Sequence, residues 1–432
     1  MIVLYKIVTN IILMGFIPFL PFIYLFSEKR KANLLPRLGF NTGFKKKQSG
    51  KKRIWIHALS VGEVISAVPF VKALKEKYND LNIVFTVSTK TGFDMAEQLF
   101  RTGVVFKKVE VGYFPFDFGF CVARICQQIE ADTVILVETD LWPNFLYKMN
   151  QDKIPVILIN ARLSERSLKG YLFFKNFASL FFSLLTHIMA QSPLDKKRFQ
   201  SMGVDGKKIS VVGNIKFDQP VIDMDLNHLK QMKKRFGIQK CDKVFIAGST
   251  HEGEDKILCK VYKNLKRNFP ELLMILAPRD PKQCGKILSY FMSENLNAIL
   301  MSDMDKADEE IDVIFVDTMG ELSKFYAVCD IAFIGGSMVK QGGHNPLEPA
   351  AFAKPVLFGD DMSDFLLVAK MLTYNKGSKI VKSEMQLQQE LETILNDEQV
   401  QEYMGKKNFE IFSKNSGSVQ KIIKKMEQLN IV

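Results

Sequence analysis

The stretch Arg53-Ile-Trp-Ile-His-Ala-Leu-Ser-Val-Gly-Glu63 (RIWIHALSVGE) decides how the chain is read. Its opening, Arg53–His57, is β-rich, and an amphipathic segment follows over Val64–Tyr78. A short apolar strand, a tight turn and a helix make one β/α unit. The alternation returns at Asn82–Val87 (NIVFTV), Thr133–Val137 (TVILV) and Val156–Ile159 (VILI), each with a longer helical pattern behind it. A second series opens at Lys243–Ala247 (KVFIA) and runs through Leu272–Ala277 (LLMILA), Val313–Val316 (VIFV), Ile331–Ile334 (IAFI) and Pro355–Phe358 (PVLF). Two such series predict an α/β fold of two Rossmann-like, doubly wound domains facing each other across a cleft. The expected boundaries are residues 51–217 for the first domain, a polar hinge at 218–227 (DQPVIDMDLN from Asp218 to Asn227) and 228–432 for the second. The last helix is a candidate to cross back to the first domain. Ligands of such sheets bind at the carboxyl ends of the strands, so the strand-to-helix turns are where function belongs.

Length and composition agree. A chain of 432 residues, 47% hydrophobic and 25% charged, exceeds one ordinary core. The net charge of +12 invites an anionic partner: nucleic acid, membrane or phosphorylated substrate. Lysine and arginine cluster between Lys29 and Arg53, with Glu28 the only acid nearby. Immediately before them lies the apolar run Ile11–Phe26 (IILMGFIPFLPFIYLF). Residues 1–50 therefore read as a membrane anchor with a basic juxtamembrane segment, the body lying on the cytoplasmic face. Pro18 and Pro21 kink such a segment, so a tilted and a re-entrant anchor are both open, and no A-x-A-like cleavage site follows. The basic residues cluster beside that apolar run, and Phe40 and Phe44 among them make no interleaved aromatic platform, which argues against nucleic acid. Six scattered cysteines and five histidines without HxxxH spacing exclude a disulfide scaffold and offer no metal site.

Four turns share one device. Ser60-Val-Gly-Glu63, Ser249-Thr-His-Glu252, Thr318-Met-Gly-Glu321 and Asn345-Pro-Leu-Glu348 each place a capping residue three positions before a glutamate. The last follows a glycine-rich run from Gly335, GGSMVKQGGHNPLEPA. The plain reading is a capping box, with Pro346 at the favoured first helical position. Gly62 and Gly320 sit inside the first turn, where glycine costs ~1 kcal/mol against alanine. Close approach of another molecule would call for them, and exposed helix N-termini bind phosphate. A glutamate in this place caps, holds a ribose hydroxyl or acts as a base, and spacing leaves all three open.

These turns and the segments between them resemble the Kdo transferase family. The resemblance runs in order through SVGE (Ser60–Glu63), VETDLWPN (Val137–Asn144), NARLSERS (Asn160–Ser167) and GNIKFD (Gly213–Asp218). It continues with GSTHEGE (Gly248–Glu254), APR (Ala277–Arg279), DTMGEL (Asp317–Leu322) and GGHNPLEPA (Gly342–Ala350). The family consists of membrane-bound GT-B glycosyltransferases that move 3-deoxy-D-manno-octulosonic acid (Kdo) from CMP-Kdo to a lipid A precursor, lipid IVA, in lipopolysaccharide synthesis at the inner membrane. The resemblance implies Glu63 as general base, with Glu138 and Lys216 stabilising the transition state. It assigns CMP binding to Pro278, Arg279, Met319, Gly320, Glu321, Asn345, Pro346, Leu347 and Glu348, the last holding the ribose. It implies inversion, no metal or other cofactor, and CMP-Kdo, the lipid A precursor and the membrane as partners, with no nucleic acid. Asp140, Asp280 and Gly359–Phe365 depart from the family pattern. The alternative is a GT-B transferase that uses a UDP-sugar on another membrane lipid.

Overall fold

The computed structural model describes Tyr5, Thr9, Ile11, Gly15 and residues 28–101, 106, 109–138, 142–218, 226–236, 238, 243–306 and 310–432, with residues 28–32 as backbone. The chain divides into two compact units, Met1–Asp218 with Ser416–Val432, and Gln219–Asn415. The closing segment thus belongs to the first unit, and most of the expected hinge lies outside the described residues.

The first unit is a seven-stranded sheet of β1 (Arg53–Ala58), β2 (Asn82–Val87), β3 (Val109–Tyr113), β4 (Thr133–Val137), β5 (Val156–Ala161), β6 (His187–Ala190) and β7 (Ile209–Val211). All pairings are parallel, in the order β3-β2-β1-β4-β5-β6-β7, so strand order reverses between β1 and β4. The central strands are buried on both faces, which is why they read as continuous apolar runs rather than alternating ones. One face packs Ile54, Ile56, Phe85 and Ile135 against Phe70 and Leu74 of the Val61–Lys77 helix and Ile422 of the Ser418–Gln428 helix. The other packs Trp55, Val84 and Leu136 against Phe114, Phe145 and Phe182. Trp55 meets Phe145 edge-on at 5.0 Å and donates its indole N–H to Thr86 Oγ1 at 2.8 Å. The last helix is fastened by Asp218, whose carboxylate accepts the N–H groups of Gly417 (2.5 Å) and Val419.

The basic cluster is partly internal. Arg53 is fully buried, donating to the carbonyls of Lys45 and Ile129 at 2.9 Å and pairing with Glu110 at 3.4 Å. Arg37 donates to Phe114 O and Ser88 O and lies over the Phe116 ring at 4.1 Å. Lys47 pairs with Asp132, while Lys46 and Lys52 stay exposed. A buried guanidinium needs hydrogen-bond partners, and these carbonyls and Glu110 serve its two terminal nitrogens. Of the apolar run only Ile11 and Gly15 are described, and among the described residues no helix is long and apolar enough to cross a membrane. Just upstream of that run, Tyr5 rests on Phe177 and Phe181 (5.9 and 6.3 Å) and donates to Asp117 at 3.1 Å.

The second unit repeats the architecture with β8 (Lys243–Thr250), β9 (Leu272–Pro278), β10 (Ala298–Leu300), β11 (Val313–Phe315), β12 (Ile331–Ile334), β13 (Val356–Phe358) and β14 (Ser378–Ile380). The order is β10-β11-β9-β8-β12-β13-β14, again all parallel, and the reversal falls between β8 and β12. Alternate residues feed the two faces: Phe245, Met274, Phe315 and Phe333 on one, Val244, Ile275, Ile314 and Ile334 on the other. Each unit therefore presents a switch-point crevice at its strand carboxyl ends, where open α/β sheets hold ligands.

Candidate active site

At the switch point of the first unit the capping box forms. Ser60 Oγ accepts the Glu63 N–H at 3.4 Å, and Glu63 Oε2 accepts the N–H groups of Ser60 (3.4 Å) and Leu59. Both backbone bonds fall on one oxygen of the carboxylate. Among the described residues a Cβ on Gly62 would meet nothing within 4 Å, so their packing does not require this glycine. On the adjacent strand, Glu138 leaves β4 at φ 63°, an uncommon conformation for a non-glycine residue, held by its N–H bond to Ile159 O at 3.0 Å. One carboxylate thus directly follows β4, and another lies in the first helical turn after its neighbour β1.

Lys216 lies in the Ile215–Asp218 turn beyond β7. Asn160, fully buried at the end of β5, fixes that turn by accepting the Ile215 N–H at 3.2 Å. Asp117 seats the helix that follows the Glu138 segment, accepting the N–H groups of Asn144 (3.0 Å) and Phe145 (2.9 Å). Burial pushes its carboxyl up to about 6, against the pull of those bonds. Asn160 was visible only as part of NARLSERS, and Asp117 carried no local signal. Asp140 lies outside the described residues. His57, within β1, is no candidate: its ring is sealed against Phe114 at 3.8 Å, and burial pushes it down to about 3.

In the second unit the three remaining boxes do not form. The helix after β8 starts at Glu254, capped by Gly253 at φ 101°, while Glu252 stands in solvent beside Lys286. Gly320, at φ 88°, turns the chain before the Leu322–Phe325 helix, and Glu321 pairs with Lys324 at 2.8 Å instead of reaching back. A left-handed glycine ahead of the helix takes the glutamate out of register with its cap. At the fourth turn Asn345 Oδ1 accepts the Leu347 N–H at 3.1 Å, and its amide donates to Glu348 at 3.3 Å. Pro346 precedes the first helical residue rather than being it.

The glycine-rich run is explained largely by its own packing. A Cβ on Gly335 would lie 2.4 Å from Ser249 O, and one on Gly336 would press on the His251 and His344 rings. Those rings stack in parallel (4°, 5.0 Å) and share a hydrogen bond between their Nε2 atoms at 2.8 Å, so one donates and the other accepts. Burial, with Arg279 nearby, pushes His344 down to about 4 and also lowers His251. Burial raises the Glu348 carboxyl, opposed by the Asn345 amide and the Arg279 charge. Arg279, its N–H on Thr250 O at 2.9 Å, therefore sits in the field of Glu348 and both histidines. Leu322 and Tyr326, one turn beyond Met319–Glu321, pack over Gly248 at the end of β8. Met319 is exposed, and Thr318 and Glu321 line a groove of about 650 Å³ with His228, Arg235 and Lys324.

Two parallel doubly wound sheets, each with polar side chains gathered at its switch point, define a GT-B-type α/β protein. Solved structures agree on the fold: UDP-GlcNAc 2-epimerase from Neisseria meningitidis bound to UDP-GlcNAc (TM-score 0.55, 16% identity, 87% of this chain and 99% of that one) and the S. aureus MnaA-UDP co-structure (TM-score 0.54, 16%, 88% and 98%). The model of the family described as 3-deoxy-D-manno-octulosonic-acid transferase matches residues 32–219. The chain is 36% identical over 372 residues to the 3-deoxy-D-manno-octulosonic acid transferase of Haemophilus influenzae, covering 86% of this chain and 85% of the relative. It is 34% identical to a bifunctional glycosyltransferase/methyltransferase of Fusobacterium nucleatum, covering 80% of this chain and 53% of that one. The chain belongs to the 3-deoxy-D-manno-octulosonic acid transferase family and is a glycosyltransferase.

Proposed function

We propose that this protein transfers Kdo from CMP-Kdo to a lipid A precursor, with the first unit supplying the base and the second holding the donor. The observation that carries the reading is the placing of two carboxylates on the adjacent strands β1 and β4 at a switch point, Glu63 in the first helical turn after β1 and Glu138 directly after β4. Glu63 removes the proton from an acceptor sugar hydroxyl as the oxygen attacks C2 of Kdo. The bond from C2 to the CMP phosphate oxygen breaks, and CMP leaves with the bonding pair. Attack opposite the leaving group inverts the configuration. Glu138 and Lys216 stabilise the charge that develops on the sugar and the departing phosphate. Arg279 counters the phosphate charge through directed N–H donors, worth most where water is excluded. Pro278, Met319, Gly320, Glu321 and Asn345–Leu347 bound the nucleotide, and Glu348 accepts a ribose hydroxyl. No metal or cofactor takes part in this scheme. Residues 1–50 hold the enzyme to the inner membrane, with Lys46 and Lys52 among the exposed bases that face its headgroups.

Mass spectrometry of a lipid A precursor incubated with CMP-Kdo and the full chain tests the reading. A product heavier by one or more Kdo units is expected. Turnover with UDP-sugars and none with CMP-Kdo would overturn it.

A further inference from the structure

The turn Gly335–Met338 follows β12 beside the switch point, and its successive N–H groups form the kind of concavity that receives phosphate in α/β sheets. In this protein that concavity is already filled. Glu254 is fully buried, and its Oε2 accepts the N–H groups of Gly336 (2.7 Å) and His251 (3.0 Å). Its Oε1 accepts those of Ser337 (3.1 Å) and Met338 (3.0 Å). Four backbone donors converge on one carboxylate, the count and geometry with which such a nest would hold a phosphate oxygen pair. The second limb of the loop is occupied in the same manner. The Gly342 N–H goes to Asp361 at 2.8 Å, Gly343 to Gly336 O at 3.0 Å and His344 to Gly335 O at 3.2 Å.

We propose that Glu254 is a built-in anion occupying the phosphate nest of this sheet, and that it makes the site accept a nucleoside monophosphate while rejecting a nucleoside diphosphate. The inference rests on the reading that the second unit binds the nucleotide donor. One phosphate is served by the Arg279 guanidinium. A second would need the N–H groups of residues 336–338, which are spent, and would meet a like charge held in place by them. Glu254 does not touch the substrate; it positions the loop and sets its specificity. The GT-B folds with UDP bound show that this architecture also accommodates diphosphates, so the choice lies in side chains rather than in the fold.

The test is calorimetric titration of the full chain with CMP and with CDP, which share a base and sugar and differ by one phosphate. Wild type is expected to bind CMP and to bind CDP at least about tenfold more weakly. Glu254→Gln keeps the side-chain shape and removes the charge, and should narrow that ratio by about tenfold. Glu254→Ala empties the nest, and added acetate or inorganic phosphate should restore amide-exchange protection of Gly336–Met338, a rescue that mere space-filling would not give. Equal binding of CMP and CDP by wild type, or an unchanged ratio in folded Glu254→Gln, overturns the inference and leaves the donor site standing. Wild type that binds neither nucleotide overturns the donor-site reading and the inference with it.

Discussion

The two switch points share a topology and differ in how their backbone is used. Between β1 and β4, no described atom lies where a Cβ on Gly62 would reach, and Glu63 closes a cap on the N–H groups of Leu59 and Ser60. Between β8 and β12 the loop is knitted to itself: three of its successive N–H groups end on Glu254, another on Asp361, and a histidine pair ties its second limb to the end of β8. The first arrangement leaves carboxylates to act on something that arrives. The second builds a wall from its own backbone, and in the proposed scheme recognition falls to Arg279 and Glu348. Repeating one fold twice does not repeat a site, because the site resides in the turns.

The largest effect expected from breaking this contrast is at Glu63. In Glu63→Gln the amide oxygen still accepts the Leu59 and Ser60 N–H groups, so the cap survives while the base is lost. Transfer should fall by about a thousandfold in a Kdo-transfer assay, with thermal unfolding nearly unchanged. Glu63→Ala also removes the return half of the capping box, the bonds to the Leu59 and Ser60 N–H groups, while the Ser60 cap remains, and should cost about 0.5–1 kcal/mol of stability besides. On the other side of the comparison, Arg279→Ala should weaken CMP binding about 10- to 100-fold by calorimetry, and Arg279→Lys should recover only part of it, having a point charge in place of a fork.

The units also carry separate acid sensitivities. His57 is held neutral down to about 3, against 6.5 for an unconstrained histidine, and His344 down to about 4. Below the ordinary value the unfolded chain binds a proton that the folded chain refuses. Stability is therefore full above about pH 6.5 and is lost as pH falls toward the folded values. His57→Phe should flatten the first unit's share of that loss, on the order of a few kcal/mol, in chemical denaturation followed between pH 7 and pH 4. The smallest effect is expected at Asp218→Asn, which weakens the N–H bonds from Gly417, Ser418 and Val419 that start the Ser418–Gln428 helix. It should lower stability by about 1–2 kcal/mol and leave CMP affinity untouched.

What could be read in the sequence follows from where each partner lies along the chain. Central strands such as Asn82–Val87 and Thr133–Val137 are buried on both faces, so their apolar runs stand out and their limits were legible to the residue. The strands not foreseen, β3, β6, β7, β10 and β14, lie at or next to a sheet edge. They are short, interrupted by polar residues, or left with exposed side chains such as Val211 and Ile380. The same holds for the sites. The Ser60–Glu63 box closes within one turn, so spacing alone revealed it. Glu254 meets its loop 82 to 84 residues away and His251 meets His344 across 93, and no local pattern announces either. Gly62 and Gly320 were legible as places for close approach, and no described atom crowds a Cβ there, whereas at Gly335, Gly342 and Gly343 the protein's own atoms take that space.

The division of labour between the units is tested most directly by titrating CMP into the full chain carrying Glu63→Gln. The affinity is expected to stay within about twofold of wild type, since nothing in the second unit is altered. A loss of tenfold or more would contradict the assignment of donor binding to the second unit and of the base to the first.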